Sequence, residues 1–139
     1  MEDPTLDRLE DQISWYDRKS SYNQTAFKSL KVLTIASAAV IPALSFFPDW
    51  RWITAAVGVV IAVSEGVQQI NQYNANWIAY RSTCEALKHE KFLYFAVAGP
   101  YASATNPHAL LAERIESLVS QEHAKWASSR EQDAKSTKA

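Results

Sequence analysis

Residues able to do chemistry are few and scattered along this chain. There is one cysteine, Cys84, and there are three histidines, His89, His108 and His123. None of the histidines stands at metal-ligand spacing from Cys84. A histidine brought to Cys84 by folding would make a nucleophile and its base, but Cys84 lies on an apolar stripe, which favours packing. His89 between Glu85 and Glu90 imitates a ligand cluster; one turn of exposed polar helix explains it more simply. No Gly-rich phosphate loop and no Walker pattern occurs. What remains is electrostatic. Arg81 and Glu85 are four apart and can pair on one helix face, with Lys88 three further on. Glu65 is a solitary carboxylate at the end of an apolar run. No catalytic residue, metal or cofactor is expected, and the chain reads as a non-enzyme.

The elements that position these groups are dominated by two apolar runs. Residues 32–48 and 52–64 carry no charge, and only Asp49, Trp50 and Arg51 separate them. A full span takes about 20 apolar residues across about 30 Å of hydrocarbon. The first run gains reach if Lys28 and Lys31 snorkel, and the second continues past Glu65 to Ile70. Apolar runs this short also occur as buried hairpins of soluble proteins. Three features favour a membrane: small residues dense in both runs (Ala36, Ser37, Ala38, Ala39; Ala55, Ala56, Gly58), no charged outer face, and Trp50 and Trp52 at the turn, where an aromatic belt belongs. Spans are thus expected at 32–48 and 52–70. Arg18, Lys19, Lys28 and Lys31 precede them and Arg81, Lys88 and Lys91 follow, so both termini are expected in the cytoplasm. No secretory signal is read, and one cysteine suits a reducing compartment.

Glu65 lies about 20 Å along the second run from Trp52, inside the near half of a bilayer or at its edge. Ionisable groups there face a bundle interior or water, so Glu65 is a candidate pore or gate carboxylate. The plainer account is an interfacial carboxylate solvated beside Gln68 or Gln69. Thr34, Ser37, Ser45, Thr54 and Ser64 suit helix packing better than a pore lining.

The arms also read as helical. Leu6, Leu9, Ile13 and Tyr16 form one stripe, with Asp3 or Thr5 able to cap it. Ile70, Tyr73, Trp77, Tyr80, Cys84, Leu87 and Tyr94 form a heptad seam, and with no breaker before Gly99 and Pro100 the second span should continue as one rod. Asn106 and Pro107 open a last helix, whose stripe is Leu111, Ile115, Leu118, Val119 and Trp126. The aromatic residues of the arms (Trp15, Tyr16, Tyr22, Tyr73, Trp77, Tyr80, Phe92, Tyr94, Phe95 and Trp126) are expected to fill a helical bundle, any surplus serving subunit contacts. The organisation expected is all-α: a cytoplasmic helical arm at 1–31, a two-span transmembrane hairpin at 32–70, a cytoplasmic bundle with a third packing helix at 71–127, and a frayed or disordered tail at 128–139. A net charge of -1 gives no electrostatic footprint for nucleic acid.

Residues 77–90, with Trp77, Tyr80, Arg81, Glu85, Leu87, Lys88 and Glu90, read W-x-x-Y-R-x-x-x-E-x-L-K-x-E. This resembles the signature of small bacterial two-helix membrane proteins, the domain of unknown function 4231 within the SLATT superfamily (SMODS- and SLOG-associating two-transmembrane effectors). Gly99, Pro100 and Tyr101 follow where that family has them, and residues 113–126 resemble its closing helix, so the likeness covers roughly 15–126. It implies a membrane-disrupting effector of bacterial conflict or anti-phage systems, released by a separate sensor or nucleotide-signal synthase. Trp77, Tyr80, Arg81, Glu85, Leu87 and Glu90 are the candidate assembly or register residues. The functions weighed are an oligomeric effector that opens a pore or permeabilises the inner membrane, a membrane-anchored scaffold whose bundle recruits a partner, and a soluble helical interaction protein. Two helices cannot enclose a conduit, so the first requires a homo-oligomer in contact with membrane lipid.

Overall fold

The computed structural model describes residues 3–136. Among these every regular element is helical: α1 (Pro4–Leu44), a 3-10 turn (Pro48–Trp50), α2 (Arg51–Asn71), α3 (Tyr73–Phe95), a second 3-10 turn (Gly99–Tyr101) and α4 (Pro107–Ser136). The fold is all-α, with two long apolar helices and a last helix packed against helical extensions. Two units can be distinguished. One takes the residues through Arg18 together with those from Ala79 onward; the other is Lys19–Ile78.

The helix ends follow local chemistry. Asp3 Oδ1 accepts the Thr5 amide at 3.0 Å, with Pro4 at the first helical position, so a cap and a preset φ open α1. Asn106 does the same for α4, its Oδ1 accepting the Ala109 amide at 3.1 Å. Pro42 falls in the last turn of α1, and α1 ends at Leu44. The first apolar run is therefore helical to 44, not to 48, and Phe47 and Trp50 stack across the turn at 5.0 Å.

Three expectations need correction. The rod from the second apolar run is divided at Gln72, which adopts φ 47° and ψ 40°. Its amide still bonds the Gln68 carbonyl at 2.9 Å, and its own carbonyl accepts the Asn76 amide at 3.0 Å. One left-handed residue thus resets the helix phase without a breaker residue, and Ile70, placed on the seam by spacing, is 84% exposed. Second, the tail is helical through Ser136. Nothing after Pro107 is Gly or Pro, and Ala, Gln, Glu, Lys and Arg all sustain a helix; residues 137–139 lie outside those described. Third, the aromatics fill the bundle only in part, with Tyr80 and Tyr94 packed against its core. Tyr16 is buried, whereas Trp15, Tyr22, Phe92, Phe95 and Trp126 are exposed.

The core of the first unit is built from Leu9 and Tyr16 of α1, Cys84 and Leu87 of α3, Tyr101, and Leu111, Ile115 and Val119 of α4. Tyr16 and Tyr101 are its largest fully buried side chains, and Tyr80 and Tyr94 pack against it partly buried.

Candidate functional site

In the Lys19–Ile78 unit, polarity is inverted relative to a water-soluble hairpin. The buried positions within this unit are Ser20, Asn23, Leu44, Ser64 and Gln68, four of them polar. Val32, Leu33, Ile35, Val40, Val59, Val60 and Val63 are exposed. The polar side chains are satisfied within their own helices: Asn23 Nδ2 donates to the Lys19 carbonyl at 2.8 Å, Thr34 Oγ1 to Leu30 at 3.0 Å and Gln68 Nε2 to Ser64 at 3.4 Å. The most apolar 18-residue windows of the two candidate spans are 6% and 11% buried. A core helix of a soluble protein would be mostly buried, so these two helices are long and apolar enough to cross a membrane and are not sheltered within the chain.

Glu65 has a partner that spacing did not reveal. Lys31 Nζ lies 3.1 Å from its Oε1, and both side chains are about half exposed. The pair joins α1 to α2 and offsets each charge with the other. Nearby, Lys28 Nζ sits 5.8 Å from the centre of the Trp77 ring, a cation–π distance, so Trp77 is a local anchor in this unit.

The remaining signature residues lie in the first unit and divide into two groups. Arg81 and Glu85 pair as their spacing predicts, at 2.9 Å, and Asp17 Oδ1 is 3.5 Å from Arg81 and 3.8 Å from Lys88. All four side chains are 43–52% exposed, so each contact contributes about 0–1 kcal/mol and sets register only. Tyr80 packs edge-on against Trp15, and Leu87 is in the core.

Glu90 is different. Its side chain is 7% exposed. Arg114 embraces it with Nε at 2.7 Å and Nη2 at 2.6 Å, and the Tyr101 hydroxyl donates to the same carboxylate at 2.7 Å. The Arg114 hydrogen bonds hold the Glu90 carboxyl below the usual carboxylate range against the opposing effect of burial. Burial first, then Glu90, pushes the Tyr101 hydroxyl well above an ordinary phenol. The network ties α3, the Gly99–Tyr101 turn and α4 together. Tyr101 and Arg114 enter the sequence reading only within the family likeness, and neither is among its candidate site residues. A weak signal existed, since Tyr101 closes a Gly-Pro turn and Arg114 sits two turns into a capped helix, but nothing local pairs them with Glu90.

Cys84 is fully buried, and its thiol faces the Ile13 carbonyl at 3.7 Å and Asp17 Oδ1 at 3.9 Å. Burial raises its pKa above that of a free thiol. This opposes the nucleophile reading, because the thiolate is the reactive form. We expect N-ethylmaleimide to label Cys84 much more slowly in the folded protein than in denaturant, followed by intact-mass spectrometry. Equal rates would mean that Cys84 is accessible. Among the described residues no three His, Cys, Asp or Glu side chains gather into a metal-binding group. His108 pairs with Asp3 and so links the start of α1 to α4; its hydrogen bond lowers the Asp3 carboxyl.

One family model matches, described as "Protein of unknown function (DUF4231)", over residues 11–109. It takes in the apolar hairpin and the whole 77–90 signature, and stops near the start of α4, so the likeness read over 113–126 falls beyond it. No curated protein and no solved structure matches this chain.

Proposed function

The chain belongs to the DUF4231 family, and from the polarity of its hairpin we propose that it is an oligomeric effector of the bacterial inner membrane, with both termini cytoplasmic. The observation that carries this is the pair of apolar windows left 6% and 11% buried. Each exposed Val, Leu or Ile would gain about 1.5–3 kcal/mol on leaving water, and lipid supplies that environment along the whole hairpin. Small and polar residues on the sheltered side suit close helix contact. The basic residues around 18–31 and 81–91 support the orientation. Permeabilisation needs several copies. The trigger comes from another polypeptide, a sensor or a nucleotide-signal synthase, in keeping with the family resemblance. The role is non-enzymatic.

The test is to express the protein and wash membranes at alkaline pH while reading a membrane-potential dye in the same culture. Retention in the washed membrane with collapse of potential supports the proposal. Recovery in the soluble fraction would overturn it.

One observation favours a second reading, a membrane-anchored scaffold whose helical bundle recruits a partner. Glu65 is already matched by Lys31 within one copy, which leaves it no obligatory role in a pore. Glu65→Gln tests whether Glu65 gates a conduit. If Glu65 gates a conduit, the variant changes dye leakage at unchanged membrane retention. If it serves only as half of a half-exposed pair, its loss costs about 0–1 kcal/mol and leakage stays as in the parent.

A further inference from the structure

A second feature, in the other unit, is independent of membrane insertion. Trp15, Tyr80 and Trp126 line a cavity of about 220 Å³ together with Glu122 and His123. The Trp15 and Tyr80 rings stand nearly perpendicular, at 80°, with centroids 5.8 Å apart. They form two walls contributed by α1 and α3. Trp126 comes from α4, and one turn earlier the same helix supplies Glu122. The Glu122 side chain is 10% exposed. Its Oε2 accepts the Tyr16 hydroxyl at 3.2 Å, and among the described residues its ion-pair neighbour is His123 at 3.7 Å, which carries charge only when protonated. A sheltered carboxylate therefore sits beside three aromatic rings with no permanent cation paired to it among the described residues. The Arg130 guanidinium, at the rim, lies 4.5 Å from the centre of the Trp126 ring.

We infer that this aromatic cage is a binding site for a small organic cation, an ammonium head of the quaternary or alkyl type, which Arg130 competes with. The chemistry selects that class. Ring faces are negative, and they attract cations whose charge is spread over methyl or methylene groups. Glu122 adds a full negative charge, which repels anions and disfavours a neutral apolar guest that would leave the carboxylate desolvated. A single carboxylate among rings is too poor in oxygen ligands for a hard metal ion. Size permits it, since a cavity of about 150 Å³ already accommodates benzene. The field of Glu122 is felt locally: after burial, it is the next cause that raises the Tyr80 hydroxyl pKa, while Arg130 opposes it.

The probe is choline, titrated into the full chain in a maltoside detergent while tryptophan fluorescence is read. Its neutral isostere, 3,3-dimethylbutan-1-ol, is the control. A saturable change with choline and none with the alcohol supports the site. Glu122→Gln, which keeps an acceptor for Tyr16, and Trp15→Leu, at a half-exposed position, should each weaken binding about tenfold. Arg130→Ala should tighten it. Circular dichroism matching the parent shows that the variants are folded. A parallel titration in phosphatidylglycerol vesicles with and without phosphatidylcholine distinguishes the source: a response to the choline-headed lipid alone assigns a lipid headgroup, and a response to free choline assigns a solute. An equal response to the alcohol, unchanged affinity in Glu122→Gln, or no response to either choline source would overturn the site.

Discussion

Replacing Arg114 by Ala is expected to destabilise the protein by about 2–4 kcal/mol, because it leaves the buried Glu90 carboxylate without its cation. Breaking a buried pair from one side costs about 3–5 kcal/mol because the other charge is left unpaired. Arg114 is itself 42% exposed while Glu90 is 7% exposed, so water can partly replace the guanidinium and the cost falls by about 1 kcal/mol below that range. The Tyr101 hydroxyl also stays on Glu90, which supplies one neutral donor in place of a charge.

The pH dependence gives this its signature. In the folded parent the Glu90 carboxyl is held below its ordinary value of 4.5. Its contribution to stability is therefore present above that pH and is lost as pH falls through the lower folded value. Without Arg114 the buried carboxylate prefers its proton, so the stability gap between parent and Arg114→Ala should narrow below pH about 4.5. Denaturant midpoints at pH 7 and in the acid range would measure it. A gap that stays constant with pH would mean that Arg114 acts by packing alone. Replacing Glu90 and Arg114 together by Leu should recover most of the loss, since an apolar pair carries no desolvation penalty.

The second large effect concerns the outer face of the hairpin. Val59 is 62% exposed and lies near the middle of α2. On a surface facing water, Val59→Arg would change stability by no more than about 0.5 kcal/mol. At the centre of a membrane span, the same arginine costs about 2.5–3.5 kcal/mol of insertion free energy. We expect the variant to lose most of its retention in alkaline-washed membranes, while Val59→Leu keeps it. Equal retention of Val59→Arg and the parent would show that this face does not meet lipid. The substitution lies in the Lys19–Ile78 unit, outside the core around Leu87 and Ile115, so slow N-ethylmaleimide labelling of the buried Cys84 serves as an internal control for folding of that core.

Much of this architecture was legible in one dimension. The charge-free runs, the caps at Asp3 and Asn106, and the stripes through Leu9 and Tyr16 and through Leu111, Ile115 and Val119 are all local patterns. Helices are built from contacts three and four residues apart, so spacing and end chemistry report them directly. The Arg81–Glu85 pair is local in the same sense, and its spacing predicted it correctly. The second run was different: Gln72 is neither Gly nor Pro, and its left-handed backbone carried no compositional mark, so the seam drawn through Ile70 had the wrong phase.

The partners of the decisive charges came only from tertiary structure. Lys31 and Glu65 are 34 residues apart, and Glu90 and Arg114 are 24. Whether such groups meet depends on how far helices turn and slide before they pack, and no helical period encodes that. The same holds for Trp15, Tyr80, Glu122 and Trp126. Each was readable as an aromatic or acidic position on its own helix, but their common cavity exists only because three helices bring those faces together. The sequence alone determined that the chain is helical, where its apolar hairpin lies and which stripes form the core, since those properties are set by neighbours along the helix. Tertiary packing alone decided that Glu90 is buried and bonded to Arg114 and Tyr101, that the Arg81–Glu85 pair stays half exposed, and that the hairpin turns its apolar side outward.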